Sequence, residues 1–155
     1  MSFRDRGGWW VVAQFLLFGA IAVAAWTEGP EVSGGALWAT IVGFVLLADG
    51  ATLAVLAFSA LGFNVTIFPK PAEGSLLATE GVYRFARHPI YGGVILLFVG
   101  GMLLVDSLIG LGLAVALVPF FWAKAEHEEG LLAHRHPEYE SYRSGVRWRL
   151  IPFLL

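Results

Sequence analysis

The chain has 155 residues, 57% of them hydrophobic and only 14% charged, with a mean hydropathy of +0.72. Such a chain is far more apolar than a soluble domain of this size needs to be, and it reads as a single-domain integral membrane protein. A formal charge of -2 offers no basic excess for nucleic acid, and the lack of cysteine excludes disulfides, thiolate catalysis and cysteine-held metals.

Four apolar segments follow in chain order, at residues 9–26, 36–61, 89–105 and 108–122. The first two are long enough to cross a hydrocarbon core of about 30 Å, which takes about 20 residues. Thr27, Glu28, Gly29 and Pro30 do not make a small-x-small cleavage site, so the first segment reads as a retained helix and not as a signal peptide. The second segment carries Asp49, an acid that at such depth needs a partner or a wet cavity. It is a candidate to line an acceptor path or to bond a neighbouring helix. The third and fourth segments are nearer the lower limit of about 17 residues, and only Asp106 and Ser107 part them, so they read as a tight helical hairpin. Trp9, Trp10, Trp26, Trp38 and Trp122 stand at segment ends, where indole rings favour the headgroup layer. Gly110 and Gly112 lack the third glycine and the preceding strand of a dinucleotide fingerprint and read as helix packing.

All ten Lys and Arg residues lie before the first segment, between the second and third, or after the fourth; the opposite loops carry only Glu28, Glu31 and Asp106. By the positive-inside rule this places both termini and the middle loop in the cytoplasm and requires an even number of spans, in agreement with four.

The middle loop, residues 62–88, is too long for a simple connector and too apolar for disorder. It ends in Gly81-Val82-Tyr83-Arg84-Phe85-Ala86-Arg87-His88-Pro89-Ile90-Tyr91-Gly92. Pro89 suits a helix start, which makes His88 the cap residue and puts Tyr91 in the first turn. The fourth segment continues as Lys124-Ala125-Glu126-His127-Glu128-Glu129, in which Lys124 and Glu128 are neighbours on one helix face. The open end of the hairpin therefore brings Arg87, His88 and Tyr91 towards Lys124 and Glu128. Ionisable groups clustered beside hydrocarbon point to a functional site, although Arg84, Arg87 and Lys124 could also serve as headgroup anchors. His127, His134 and His136 do not make a zinc-binding His-Glu-x-x-His pattern, because position 131 is Leu.

The ordered set of the Tyr83-Arg84 turn, Arg87-His88-Pro89 with Tyr91, the apolar hairpin, Glu128-Glu129 with Leu132, Glu138-Tyr139 with Tyr142-Arg143, and Pro152 resembles the isoprenylcysteine carboxyl methyltransferase family and the related phospholipid methyltransferases. The resemblance spans about residues 64–152. It implies an S-adenosylmethionine-dependent methyltransferase with an all-α membrane fold, its cofactor bound at the cytosolic ends of the last helices. Carried over by position, the cofactor set is Ser75, Leu76, Leu77, Ala78, Tyr83, His88, Pro89, Ile90, Tyr91 and Glu128. The acceptor-binding cation is Lys124, and Arg87 serves either the cofactor carboxylate or the acceptor. Residues 62–155 then form the cofactor-binding core and residues 1–61 an N-terminal helix pair. The chain departs from the family pattern at Glu126 and at His136-Pro137, positions that bear on acceptor identity.

Methyl transfer from a sulfonium depends on positioning and desolvation. A carboxylate acceptor needs no general base and would be held by Lys124, with its lipid tail entering from the bilayer. An amine acceptor, as in a phospholipid methyltransferase, must lose a proton, which would fall to Glu126 or Glu129. The competing reading is a non-enzymatic membrane partner subunit. Tyr139, Tyr142, Arg143, Arg147, Trp148 and Arg149 are expected to form an amphipathic segment on the membrane surface, either as an anchor or as a gate over the cofactor. The oligomeric state is not legible.

Overall fold

The computed structural model describes residues 7–28, 34–62 and 77–155, and the elements there are helical: α1 (Gly8–Thr27), α2 (Leu37–Leu61), α3 (Pro89–Leu104), α4 (Leu108–Arg135) and α5 (Tyr139–Gly145). A 3-10 turn, Gly81–Arg84, precedes α3. The chain is an all-α integral membrane protein. α1, α2 and α4 are each long and apolar enough to span a bilayer, whereas α3, with 16 residues, is shorter. α1 and α2 have no polar face and stay largely exposed, with Leu16, Val23, Phe44 and Val55 all pointing outward, as lipid-facing helices do.

The helices run antiparallel to their packing neighbours. α2 and α3 meet along a seam of glycines, in which a Cβ on Gly50 would lie 2.8 Å from the Gly93 carbonyl and one on Gly100 would lie 2.7 Å from that of Gly43. Without a hydrophobic driving force between helices in lipid, such backbone contact supplies the packing. α3 turns into α4 through Asp106, which has a positive φ of 60°, and Ser107 then caps α4 by accepting a hydrogen bond from Gly110 N–H at 3.0 Å. Gly110 is pressed against Met102 of α3, as expected for helix packing, but Gly112 faces open space. α1 lies along α4: Glu28 accepts from Ile109 N–H at 3.0 Å and from the Ser107 hydroxyl, so one carboxylate ties the end of α1 to the start of α4. At that same end Asp106 accepts from Gly35 N–H at 3.2 Å. Glu28 and Asp106 are thus structural groups whatever their part in orientation.

The core lies among α1, α3 and α4, with Ile21, Ile95, Leu117 and Phe121 buried together and Leu150 joining them from the C-terminal segment. Phe18 of α1 stacks on Phe98 of α3 at 4.6 Å, and Tyr91 of α3 on Phe121 of α4 at 4.6 Å. α3 therefore sits between α2 on one side and α4 on the other. Trp9, Trp26 and Trp38 are exposed at helix ends, whereas Trp10 and Trp122 do more than anchor. Trp10 packs on Phe120 and His127, and Trp122 lies under the Arg149 guanidinium at 4.4 Å.

α4 has 28 residues and is about 42 Å long at 1.5 Å per residue, so it outruns a hydrocarbon core of about 30 Å. Its last turns carry the polar end of the molecule. α5 is a short helix ending at Gly145; Arg143 is in it but Arg147 is not, so the two do not share a helix face. From Val146 the chain is extended and pairs with the segment before α3, through Arg87 N–H to Trp148 O at 3.1 Å and His88 N–H to Arg149 O at 2.7 Å. Gly92 makes this strap possible, since a Cβ there would meet the Leu150 carbonyl at 2.2 Å.

Candidate functional site

The polar end brings together Arg87 and His88 from before α3, Tyr91 from its first turn, and Lys124, Glu128 and Glu129 from α4. Pro89 opens α3 as expected, and His88 holds the cap position, but its side chain makes no capping hydrogen bond. Its imidazole instead lies parallel to the Tyr91 ring, with centroids 5.6 Å apart.

The two adjacent glutamates have separate surroundings, because consecutive helix positions point in different directions. Glu128 accepts a hydrogen bond from the Tyr91 hydroxyl at 2.5 Å on one oxygen, and its other oxygen is 3.5 Å from His88 Nδ1. Glu129 is almost fully buried and gathers guanidiniums. Arg87 Nε lies at 2.9 Å, Arg149 Nε and Nη2 each at 3.2 Å, and Arg143 Nε at 3.6 Å. Arg87 Nη1 donates to the carbonyls of Val146 and Arg147, so this side chain fastens the C-terminal strap to α4. His88 Nε2 faces the Glu129 carboxylate at 3.4 Å without a well-formed hydrogen bond, so the imidazole bridges the two glutamates.

Lys124 is 1% exposed and donates to the side-chain oxygen of Gln14 on α1 at 2.7 Å. Its ammonium stands 4.9 Å from the centre of the Tyr91 ring. No carboxylate among the described residues pairs with it. Gln14 went unnoticed in the sequence; a lone amide within an apolar span was the available signal.

Of the other residues singled out, Tyr83 is buried in the 3-10 turn and its carbonyl accepts from the Tyr142 hydroxyl at 2.7 Å, so α5 holds the turn in place. Burial pushes the phenols of Tyr83, Tyr139 and Tyr142 well above their ordinary range, which keeps them neutral donors. Pro89 is buried, while Ile90, Leu77 and Ala78 are half-buried. Ser75 and Leu76 lie outside the described residues. Asp49 is not brought to this cluster. It is exposed on α2, on the other side of α3, and lines a groove of about 380 Å³ with Thr52, Leu56, Leu96 and Phe153. Gly50 faces Gly93, in the second turn of α3, so Asp49, at the centre of the 25-residue α2, lies about two helical turns from the His88 level. No group of three or more His, Asp or Glu residues suited to a metal occurs among the described residues.

The family model for phospholipid methyltransferases matches residues 38–138. The chain belongs to the phospholipid methyltransferase family. Its relatives include the protein-S-isoprenylcysteine O-methyltransferase of Xenopus laevis, 31% identical over 121 residues that make up 76% of this chain and 42% of that protein. The human protein of the same name is 29% identical over 133 residues, 83% of this chain and 45% of the relative. That of Dictyostelium discoideum is 28% identical over 131 residues, 82% and 54% respectively. The chain thus spans about half the length of these relatives. The family match begins at α2, so α1 with Gln14 lies outside it.

Proposed function

We propose that this protein is an S-adenosylmethionine-dependent methyltransferase acting on the carboxylate of a hydrophobic acceptor of the isoprenylcysteine kind. The observation that carries this reading is the pairing, within one helix turn of α4, of an anion engaged by Tyr91 and His88 with a buried cation that has no carboxylate in contact among the described residues. The residues suit an aminocarboxylate ligand. Glu128 keeps an oxygen for an ammonium, the His88 imidazole stands between the two glutamates beside it, and Tyr83, Pro89, Ile90, Tyr91, Leu77 and Ala78 supply ring stacking and apolar walls; Ser75 and Leu76 are assigned to the same set by position in the sequence alone. When bound, S-adenosylmethionine supplies a methyl group on a sulfonium, which a carboxylate oxygen takes as the carbon–sulfur bond breaks, with no proton to remove.

Lys124 then holds the acceptor carboxylate, and exclusion of water by Tyr91 and Phe121 strengthens that attraction. Arg87 is assigned to positioning rather than to a ligand, since its Nε and Nη1 are committed to Glu129 and the strap. An amine acceptor is disfavoured, because Glu129 is saturated by guanidiniums and Glu126 points outward, leaving neither placed as a base. Asp49 does not enter the reaction centre. The whole chain is read as one membrane-embedded unit, its polar end and termini facing the cytoplasm and its acceptor tail reaching Lys124 from the bilayer.

The test is titration of the detergent-purified protein with S-adenosylmethionine and S-adenosylhomocysteine, with His88→Ala and Glu128→Ala alongside. This is followed by transfer of labelled methyl to an S-prenyl-N-acetylcysteine and to phosphatidylethanolamine. Binding lost in both variants, and a base-labile methyl ester on the prenylcysteine alone, are the expected results. Base-stable label on the amine lipid would overturn the carboxylate assignment.

A further inference from the structure

Lys124 is a buried cation with no carboxylate in contact among the described residues. An ammonium has three N–H donors, and burial without an anion is costly. Here one donor is satisfied by the neutral amide oxygen of Gln14 at 2.7 Å, and the charge rests above the Tyr91 face at 4.9 Å. Glu128, one helical turn on, is engaged by the Tyr91 hydroxyl and His88 instead. A carboxylate at position 14 would have balanced the lysine within the protein. An amide fixes the direction of the ammonium without adding a charge, so that Glu128, one turn away and out of contact, is the anion nearest to it on α4.

The side chain that does this comes from α1, outside the part of the chain that matches the family. α1 is well placed for it. Its far end is tied to α4 by Glu28, and Trp10, one turn before Gln14, packs on His127 and Phe120 of α4. The register of α1 on α4 is thereby held at both ends, and with it the position of the amide.

We propose that Gln14 is a positioning residue that aims the Lys124 ammonium at the anionic head of the acceptor and keeps its charge free, so that α1 sets the preference for a charged over a neutral acceptor. This rests on the reading of Lys124 as the acceptor cation. A merely structural link between helices would influence stability, but it would not distinguish an acid from its ester.

The experiment measures the dissociation constants of S-prenyl-N-acetylcysteine and of its methyl ester in the presence of S-adenosylhomocysteine, for wild type and Gln14→Glu. Wild type is expected to bind the acid more tightly than the ester. Gln14→Glu places a carboxylate against Nζ, and loss of about tenfold or more in acid affinity is expected, with ester and S-adenosylhomocysteine affinities within about twofold, so that the acid-to-ester preference disappears. An unchanged preference in Gln14→Glu overturns the role of Gln14. Wild type that binds S-adenosylhomocysteine but shows no preference for the acid overturns the reading of Lys124 itself. Should Gln14→Glu fail to bind S-adenosylhomocysteine, the ratio is read in Gln14→Ala, where the ammonium has lost its anchor; a reduced preference supports the proposal and an unchanged one overturns it.

Discussion

Replacing Glu129 by Ala should lower the thermal stability of the polar end more than it affects ligand binding there. Its carboxylate is 3% exposed and touches two guanidiniums that are at most 10% exposed, Arg87 at 2.9 Å and Arg149 at 3.2 Å. Arg143 is about half exposed and adds little. Breaking a buried pair leaves an uncompensated charge and costs about 3–5 kcal/mol. For a chain of this size each kcal/mol lowers Tm by about 2–4 °C, so a drop of about 6–20 °C follows. The neighbouring Glu128→Gln keeps an oxygen to accept from Tyr91 and should cost no more than about 1 kcal/mol, or about 2–4 °C. Thermal melts followed by the fluorescence of the six tryptophans, in detergent, measure both variants. S-adenosylhomocysteine binding measured at low temperature should show the reverse order, lost in Glu128→Gln and retained in Glu129→Ala. A Tm for Glu129→Ala within about 2 °C of wild type, or a larger fall for Glu128→Gln, would refute the division of labour between the two acids.

Gly93→Val should lower the melting temperature far more than Gly101→Ala, because the first Cβ meets the Gly50 carbonyl at 2.9 Å and the second meets nothing within 4 Å; overpacking of about 1–3 kcal/mol is expected for the valine. Glu28→Ala removes the acceptor at the start of α4 and should cost about 1 kcal/mol, read in the same melts. Raised phenol pKa values mean that the folded state holds these protons more tightly than the unfolded chain. Stability from Tyr83, Tyr139 and Tyr142 is therefore complete below about pH 10 and is lost as pH rises beyond it. Phenolate absorbance should accordingly show most of the four tyrosines still neutral at pH 10 in the native protein.

Much of this arrangement could be read in the sequence because it is local. The four apolar segments, the turn at Asp106, Pro89 as a helix start and the facing of Tyr91 towards Glu128 all follow from hydropathy and helical spacing. What escaped the sequence is non-local. The pairing of Ala86 with Trp148 joins two extended stretches that have no periodic pattern of their own. It accounts for the position of Arg149, which the sequence placed in an amphipathic segment on the membrane surface. The glycines at 43 and 50 carried no signal without their partners at 93 and 100, since a seam exists only as a pair of helices. Glu128 and Glu129 are identical as letters and separate only when the helix turns one towards Tyr91 and the other towards the arginines. Gln14 was hidden by its setting, a single polar residue whose partner lies on another span.

The strap has a consequence for biogenesis. Membrane insertion delivers α1 to α4 in order, and Glu129 enters the bilayer's edge with Arg87 already available. Arg149, its second buried partner, follows only after twenty more residues have left the ribosome. Until then the carboxylate is half compensated and the groove beside Gly92 lacks Leu150. The segment around Arg149 and Leu150 thus acts as a latch on helices already in place. A chain stopped before it would leave Glu129 with Arg87 as its one buried guanidinium partner among the described residues and the face of Gly92 uncovered.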